Sequence, residues 1–473
     1  MPQDKSDISK LFNTVVNGDY CIGCGACATP ENSPITIEFD SDFKLKASLP
    51  KRNKQSYTTS YSVLKVCPFS NETINEDEIG QKLFGAENKK VDKLGYITST
   101  FAGYTFNQKL RENGSSGGMV SWILLELHKQ GIIDYVAHVQ KSDISDKNNR
   151  LFQYKISSTQ EEIKNGAKSR YYPVELSEVI KHIKEKEGKY AIVGLPCFIK
   201  AVRLLMIQDQ ILAQRIKFCI GLVCGHLKSA NFANMWSWQV GIHPENLHSI
   251  DFRTKLENYG ADQYGITAIG AIDSKLVERT SPPLKNLFGG NWGWGLFKYN
   301  ACDYCDDVVA ETADITIGDA WLPRYVKDSQ GTNIIIVRNK KLLSVLELGQ
   351  ETNHIKLDSI SKDEIIESQS SGFFHRREGL AYRLYLKEKQ NEWYPFKRIE
   401  ASENAVSKKI RKRQLLRLEI SQASHAAFKK ALKDNSFQSF VEHLHPLIEE
   451  YQKLYKPSLM KQLKKKLKKI LIK

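Results

Sequence analysis

The sequence predicts an α/β fold with a mixed or parallel sheet, preceded by a small cysteine-rich domain and followed by a helical tail. Three observations support this fold class. Short apolar runs alternate with helix-like stretches through the middle of the chain, which is typical of β-loop-α units. Three cysteines are crowded near the N-terminus. Lysines alternate with leucines at the C-terminus.

Length and composition indicate an ordinary globular protein of two or three domains. The chain has 473 residues, of which 41% are hydrophobic and 26% are charged. We expect a cysteine-rich domain at 1–95, a cofactor-binding α/β domain at 96–400 and a basic helical extension at 401–473. No apolar run approaches the ~18 residues of a membrane span, which predicts a cytoplasmic protein. In that reducing compartment, nine cysteines in short spacings favour metal binding over disulfides.

The first motif is a cysteine loop at residues 21–27, which read Cys-Ile-Gly-Cys-Gly-Ala-Cys. This C-x2-C-x2-C spacing is typical of the loops that bacterial ferredoxins wrap around an iron–sulfur cluster. A ferredoxin run would place its fourth cysteine near position 31, which is Glu31 here. We therefore predict that Cys67, followed by Pro68, is the fourth ligand. A structural zinc site on the same four thiolates is the alternative.

The second motif is a small-residue loop at 115–118, which reads Ser-Ser-Gly-Gly. It opens a helix-like run from Met119 to Leu127 that Gly131 ends. Free N–H groups at a helix N-terminus attract phosphate, and glycine lets a phosphate approach the backbone. A plain helix entry is an equally good interpretation of this loop. A strand is predicted next, over residues 132–139.

Two further strands deliver cysteines to one edge of the predicted sheet. The strand Tyr190–Val193 runs into Gly194-Leu-Pro-Cys197. The strand Ile216–Val223 runs into Cys224. Ligands bind beyond the carboxyl ends of strands in open α/β sheets, so this edge is a candidate site. Cys219 lies inside the second strand, where we expect a buried core thiol.

Cys302 and Cys305 form a CxxC pair that is predicted to complete a second four-thiolate site with the two strand-end cysteines. A strand-like run follows the pair and ends in the carboxylate of Asp319. An aromatic segment precedes the pair. Its glycine- and tryptophan-rich loop at 288–297 either lines a planar pocket or caps the packing.

The last part of the chain is predicted to be mostly helical after a strand at 333–337 and a helix at 341–348. Four basic residues are interpreted as a solvated helix face, with an anion site as the alternative. They are His375, Arg376, Arg377 and Arg383.

The tail at 456–473 carries eight lysines and no acidic residue, so the formal charge of the remaining chain is +7 rather than +15. Leucines recur there at every fourth position, which predicts a basic amphipathic helix. Such a helix fits an anionic membrane surface, while docking to a partner protein or simple solvation is an equal alternative. Nucleic acid is not expected, because the lysines lack interleaved aromatic residues.

Together these motifs resemble the beta-subunit family of coenzyme F-420 hydrogenases and dehydrogenases, which includes 7-hydroxymethyl chlorophyll a reductase. Besides the N-terminal cysteine loop, five segments carry the resemblance: Ser115-Ser-Gly-Gly118, Lys168-Ser-Arg-Tyr171, Gly194-Leu-Pro-Cys197, Val223-Cys-Gly-His226 and Asp314-Ile-Thr-Ile-Gly-Asp319. Two departures stand out. Leu195 replaces the family's threonine, and Gly225 and His226 stand in swapped order.

The resemblance implies two [4Fe–4S] clusters and FAD, with a ferredoxin-like N-terminal domain and a flavin-binding α/β domain. The implied ligands of the first cluster are Cys21, Cys24, Cys27 and Cys67, and those of the second are Cys197, Cys224, Cys302 and Cys305. The residues implied at FAD are Ser115, Ser116, Gly117, Gly118, Ser169, Arg170, Gly194, Pro196 and Asp319. His226 and Asp319 are the candidate catalytic residues, and a supporting role beside the cluster is the alternative for His226.

We therefore expect an oxidoreductase that relays single electrons from ferredoxin or another donor protein to FAD and on to a small-molecule substrate. Surface-polysaccharide synthesis is one candidate context, because some family members belong to such pathways. A cytoplasmic location is expected, with peripheral contact at the inner face of the membrane as a variant. The alternative function is a non-catalytic electron-transfer subunit of a larger redox complex.

Overall fold

An eight-stranded mixed sheet is the centre of the fold. The computed structural model describes residues 4–50, 59–142 and 150–455, except for the side chains of residues 4–6. The lysine-rich helix predicted at 456–473 lies outside the described residues. The expectation of an α/β protein with a mixed sheet is confirmed.

The elements alternate along most of the chain. The strands are β1 Thr36–Phe39, β2 Leu45–Ser48, β3 Lys89–Val91, β4 Gly95–Ile97, β5 Ser99–Thr105, β6 Tyr135–Lys141, β7 Phe152–Ser157, β8 Tyr190–Gly194, β9 Ile216–Leu222, β10 Leu247–Thr254, β11 Gly265–Ile272, β12 Lys275–Thr280, β13 Ile315–Asp319, β14 Asn333–Val337 and β15 Ile355–Ser359. The α-helices are α1 Asp4–Leu11, α2 Val63–Val66, α3 Glu76–Phe84, α4 Gln108–Asn113, α5 Met119–Lys129, α6 Gln160–Asn165, α7 Ser177–Glu185, α8 Pro196–Gln208, α9 Gln210–Arg215, α10 Asn231–Gln239, α11 Pro323–Val326, α12 Lys340–Glu351, α13 Lys362–Ser368, α14 Ser370–Arg376, α15 Glu378–Lys389, α16 Lys408–Lys433 and α17 Phe437–Lys453.

The large sheet has the strand order β15-β5-β14-β13-β9-β8-β6-β7. Strands β13, β9, β8 and β6 are parallel to one another, and the remaining neighbours pair antiparallel. A separate antiparallel sheet contains β10, β11 and β12, and two hairpins contain β1-β2 and β3-β4. Because the four central strands are parallel, their carboxyl ends meet at one edge.

The central strands form from nearly continuous apolar runs, since a parallel sheet is covered on both faces. All five residues of β8 are buried, as are all five of β14. The sequence therefore predicts β8, β9 and β14 to within one residue. Strand β6 begins at Tyr135 and not at Ile132, because the amides of Ile132 and Ile133 donate to the carbonyl of Leu127 at the end of α5.

The described part of the predicted C-terminal extension packs into the main core. In α16 and α17, Phe428 and Phe440 contact Phe297 with ring centroids 5.2 and 5.5 Å apart. These helices thus share one apolar cluster with the cysteine loops. Within the described ranges, no helix has the length and apolarity needed to cross a membrane.

The interpretation of the four basic residues at 375–383 as a solvated face is wrong. His375, Arg376 and Arg383 are 3%, 1% and 0% exposed. The guanidinium of Arg383 donates to the carbonyl of Asp303 at 2.8 Å and to Gln414 at 2.6 Å. These partners are distant in sequence, so spacing along the helix carries no sign of them.

Candidate metal centres and cofactor loop

The four cysteines predicted at the first site line one cavity. Cys21, Cys24 and Cys27 lie on a loop that ends in a 3-10 turn, and Cys67 directly follows α2. Gly23 has φ of +65°, and a Cβ there would stand 2.3 Å from the carbonyl oxygen of Leu45, so only glycine fits. The loop therefore closes tightly against the β1-β2 hairpin.

The walls of this first cysteine set are apolar. They include Leu11, Val15, Ile22 and Phe69, all buried. The amides of Gly23 and Ala47 each donate to Cys21 Sγ at 3.4 Å. Four sulfurs around one cavity, with two amides directed at Cys21, fit a [4Fe–4S] cluster, whose thiolates are normally stabilised by such bonds.

The pKa shifts of the first set show that its thiols are neighbours. Burial, together with a smaller effect of a nearby Cys21 thiolate, raises the pKa of the Cys67 thiol to about 12. Burial, followed by the other three thiolates, raises the pKa of Cys27 well above its usual value. Four thiolates could share this cavity only with compensating positive charge, which the iron atoms of a cluster supply.

The second cysteine set is gathered from three distant segments. Cys197 lies in the first turn of α8, Cys224 follows β9, and Cys302 and Cys305 lie in and after the 3-10 turn Asn300–Tyr304. Strands β8 and β9 are parallel neighbours with Gly194 opposite Gly221, so the two cysteines that follow them meet at one edge. The amide of Leu227 donates to Cys302 Sγ at 3.2 Å.

A buried cation touches this second set. Burial, then thiolates at Cys305, Cys224 and Cys302, raises the pKa of Cys197 well above its usual value, so the four groups are neighbours. Arg376 is 1% exposed and donates to the Gly225 carbonyl at 2.6 Å. Burial opposes its charge, but the thiolates of Cys305, Cys224 and Cys302 outweigh that effect and raise the pKa of Arg376.

The two sets lie beside each other. Cys24 of the first set contributes to the raised pKa of Cys197, after burial and the three cysteines of the second set. The pKa of Tyr154 is raised by burial and then by Cys197 and Cys24, so this ring borders both sets. Within the described ranges, no three His, Cys, Asp or Glu side chains group as ligands of a single metal ion. The ligands of a [4Fe–4S] cluster surround a cage rather than converge on one atom.

The loop at 115–118 begins α5 as predicted. Gly118 precedes the helix with φ of +77°, and a Cβ on Gly117 would stand 2.8 Å from the carbonyl oxygen of Gly103. The hydroxyl of Ser116 donates to the carbonyl of Thr332 at 2.9 Å, so its side chain holds the loop within the fold. Through these contacts the loop packs against β5 and the start of β14.

Arg253 joins three of the predicted flavin residues. It is 3% exposed and pairs with both carboxylate oxygens of Asp319, at 3.0 and 3.3 Å. It also donates to the carbonyl of Ser115 at 3.2 Å, and the Ser115 hydroxyl accepts the amide of Ser169 at 2.7 Å. The sequence motifs do not single out Arg253, and a basic residue directly after the apolar Phe252 near the end of a strand is the signal that could have found it.

A second cation supports the same loop. Lys255 donates to the carbonyls of Ser116 and Gln330 at 3.2 and 2.8 Å. Burial, followed by the charges of Lys168 and Arg111, lowers its pKa to about 7. The Nε atom of Arg253 is buried without a hydrogen-bond partner in the part of the chain that the structure describes. A helix N-terminus with buried cations and an unused donor fits the phosphates of FAD.

Other predicted residues lie elsewhere. Arg170 donates to the Ala167 carbonyl and stacks over Phe152 at 5.1 Å, with no described contact to the loop. Gly194 and Pro196 lie at the second cysteine set, where β8 passes into α8. Those two residues therefore adjoin Cys197, and their role at FAD stays a prediction.

His226 stacks on Trp292 with ring centroids 4.5 Å apart and planes 11° apart. Both its ring nitrogens are buried and lack a hydrogen-bond partner among the described residues. Trp292 contacts Tyr171 at 5.1 Å, and the Tyr171 hydroxyl accepts from Arg253 at 3.4 Å. The glycine- and tryptophan-rich loop thus caps the packing and also connects the second cysteine set with Arg253.

Comparisons with known proteins agree with one another. The family model for the coenzyme F420 hydrogenase/dehydrogenase beta subunit matches by its N-terminal part at residues 100–181 and its C-terminal part at 187–363, together more than half of the chain. One subunit of the F(420)H(2) dehydrogenase of Methanosarcina mazei is 22% identical over 69% of this chain and 81% of its own length. An uncharacterised protein of Methanocaldococcus jannaschii is 23% identical over 48% of this chain and 57% of its own length.

Among solved structures, a chain of the F420-reducing [NiFe] hydrogenase complex from Methanosarcina barkeri is similar. It superposes with a TM-score of 0.48 and 14% identity, over 65% of this chain and 98% of its own length.

Proposed function

Since the chain belongs to the coenzyme F420 hydrogenase/dehydrogenase beta-subunit family, we propose that it is an iron–sulfur flavoprotein oxidoreductase. In this proposal two [4Fe–4S] clusters and FAD connect a one-electron donor protein, such as ferredoxin, with a small organic substrate. The carrying observation is the placement of eight cysteines in two adjacent sets, with His226, Trp292 and Tyr171 leading from the second set to Arg253. Surface-polysaccharide synthesis and membrane contact through the tail stay predictions.

The residues of the loop would bind FAD and fix its position. The N-terminus of α5 would hold phosphate oxygens, with Arg253 and Lys255 adding positive charge behind it. Asp319 holds the guanidinium of Arg253 by two bonds, which fixes where that charge lies. Bound FAD would exchange electrons singly with the clusters and in pairs with a substrate.

The aromatic side chains between loop and cysteines would keep water out. Tyr171 contacts Phe252 at 5.6 Å and Trp292 at 5.1 Å, and Phe232 closes the group at 5.7 Å from Trp292. Dry surroundings strengthen the electrostatic contacts of a charged cofactor. They also separate electron exchange from proton exchange with solvent.

The composition of the purified protein tests this proposal. We expect anaerobically purified full-length protein to contain about eight irons and one FAD per chain. Dithionite should bleach both the iron–sulfur and the flavin absorption. Zinc in place of iron, or protein that takes up no flavin during reconstitution, would contradict the proposal.

A second candidate is an electron-transfer subunit without a substrate of its own. The similarity to the Methanosarcina mazei dehydrogenase protein favours it, because that relative is by name one part of a complex. A steady-state assay separates the two functions. An enzyme should oxidise a reduced donor with a small molecule alone, whereas a transfer subunit should turn over only with a partner protein present.

A further inference from the structure

Arg376 is a buried cation beside the second cysteine set. Its Nη2 donates to the carbonyl of Gly225, the residue that follows Cys224. Its Nε lacks a hydrogen-bond partner within the described residues, and the thiolates of Cys305, Cys224 and Cys302 raise its pKa against the effect of burial. In the part of the chain that the structure describes, its hydrogen bond goes to a backbone carbonyl and no ion pair with a carboxylate neutralises its charge.

The other charged side chains near the second set form their bonds with groups other than the cysteines. Lys298 pairs with Asp303 at 2.6 Å. The carboxylate of Asp307, the acidic neighbour of Cys224, accepts the amides of Val309 and Glu311 at 2.9 Å each. Lys228 donates to the carbonyl of Leu296 at 2.6 Å. Arg376 differs from both lysines because a guanidinium stays charged at every working pH and this one lies beside Cys224.

The first cysteine set has no equivalent among the described residues. Its walls are apolar, and the cation that acts on it is Lys200, next to Cys67. Lys200 forms an ion pair with Glu76 at 3.1 Å, and both side chains are buried. The field of the lysine is therefore largely cancelled by its partner.

We propose that Arg376 raises the reduction potential of a cluster at the second set above that of a cluster at the first. This inference rests on the proposed function, because it requires a cluster in each set. Reduction adds one negative charge to a cluster, and a fixed cation stabilises the more negative form. The electron arrives from a one-electron donor protein, and no bond forms or breaks. Electrons then pass from the first set to the second, which leads to the loop.

A redox titration of the full-length holoprotein tests the inference, with electron paramagnetic resonance reporting each cluster. Cys302→Ser leaves only the first signal and thereby assigns both. In the wild type, the second cluster should be reduced at the higher potential. In Arg376→Gln, its ratio of reduced to oxidised form at fixed potential should fall at least tenfold, which is about 59 mV for one electron. The first signal should not move.

Two further variants keep the test sharp. Arg377→Gln is the matched control, since Arg377 is the next residue and pairs with Glu311 at 3.3 Å. Both cluster potentials should stay as in the wild type. Arg376→Lys keeps the charge but moves it back from the sulfurs, so the second potential should fall by less than in the glutamine variant.

A failure of the proposed function can be told apart from a failure of the inference about Arg376. A second set without iron in the wild type refutes the proposed function and not the role of Arg376. If both clusters are present but Arg376→Gln leaves the second potential unchanged, the inference is overturned. Where that variant does not fold, a first cluster reduced at the higher potential in the wild type overturns it equally.

Discussion

The two cysteine sets hold the same donor atoms in opposite surroundings. The first is built almost entirely from one short loop, completed by Cys67, and is walled by Leu11, Val15 and Phe69. The second is assembled from the ends of β8 and β9 and from the turn at 300–304, and Arg376 is bonded to the carbonyl of Gly225, the residue after Cys224. Identical ligands in apolar and in cationic surroundings give sites of different electrochemical character.

The two sets also depend on different parts of the fold. A loop whose glycines force three thiols together carries its geometry locally. A site that spans parallel strands exists only where the sheet has formed. Variants that affect one set without the other therefore test whether the two are independent.

The largest expected effect is a change in iron content that differs between the two sets. Cys302→Ser should remove about half of the iron and leave the first cluster, and Cys24→Ser should do the reverse. Iron analysis with absorption spectra of anaerobically purified variants measures this. If either variant keeps all its iron, the ligand assignment of that set is wrong.

The second prediction concerns the ion pairs of Arg398, which join α3 to the segment that follows Cys305. The Arg398 guanidinium donates to Glu311 at 2.7 Å, to Asp306, the residue after Cys305, at 3.0 Å, and to Asp77 of α3 at 3.0 Å. Arg398→Met would leave the buried Asp306 carboxylate without its ion pair and Glu311 with Arg377 alone, so the free energy of unfolding should fall by about 3–5 kcal/mol. Chemical denaturation measures it.

The exposed pair between Lys412 and Glu450, at 2.6 Å, provides the control. Lys412→Met should cost less than about 1 kcal/mol. Equal losses in the two variants would mean that Arg398 does not hold the regions together.

The third prediction is that the loop can lose FAD affinity while both cysteine sets keep their iron. Arg253→Gln removes charge-assisted bonds worth about 1.5–3 kcal/mol, so FAD affinity should fall about tenfold or more while iron content stays. Flavin fluorescence during reconstitution measures the affinity. Arg279→Gln, on the exposed strand β12 of the same small sheet, should change neither quantity. Loss of iron in Arg253→Gln would contradict the separation.

The smallest expected effect is a pH dependence confined to the loop. The lowered pKa of Lys255, about 7, means that its charged form prevails below that pH and its neutral form above it. Its attraction for phosphate is thus lost as pH rises, and FAD affinity should fall several-fold between about pH 6 and 8.5. Lys255→Met should bind FAD with a flatter profile. A wild-type affinity that does not change with pH would refute this role.

The sequence predicts the central strands well because their cause is local. An apolar run covered on both faces marks β8, β9 and β14 directly. Strand β5 carries no such run, and it pairs with β14 and β15, whose residues are more than two hundred positions away. Its place in the sheet depends on those partners. The confirmed burial of Cys219, at 0% exposed, follows from the same local rule as β9.

The candidate site divides along the same line. The cysteine spacings and the loop at 115–118 are visible in the sequence, because each motif is contiguous. Arg253 and Arg376 are not visible, because their partners Asp319 and Gly225 lie 66 and 151 positions away. A buried arginine and a solvated one look alike until the fold brings a partner to them. That is why helical spacing alone gives the basic residues at 375–383 the wrong environment.

The parallel pairing of β8 with β9 has a consequence for maturation of the protein. Cys197 and Cys224 come together only after these strands have aligned, with Gly194 opposite Gly221. Under the proposed function, a newly made chain would thus be able to load iron first at its N-terminal loop. Completion of the second centre would then mark the moment at which the sheet is correctly assembled.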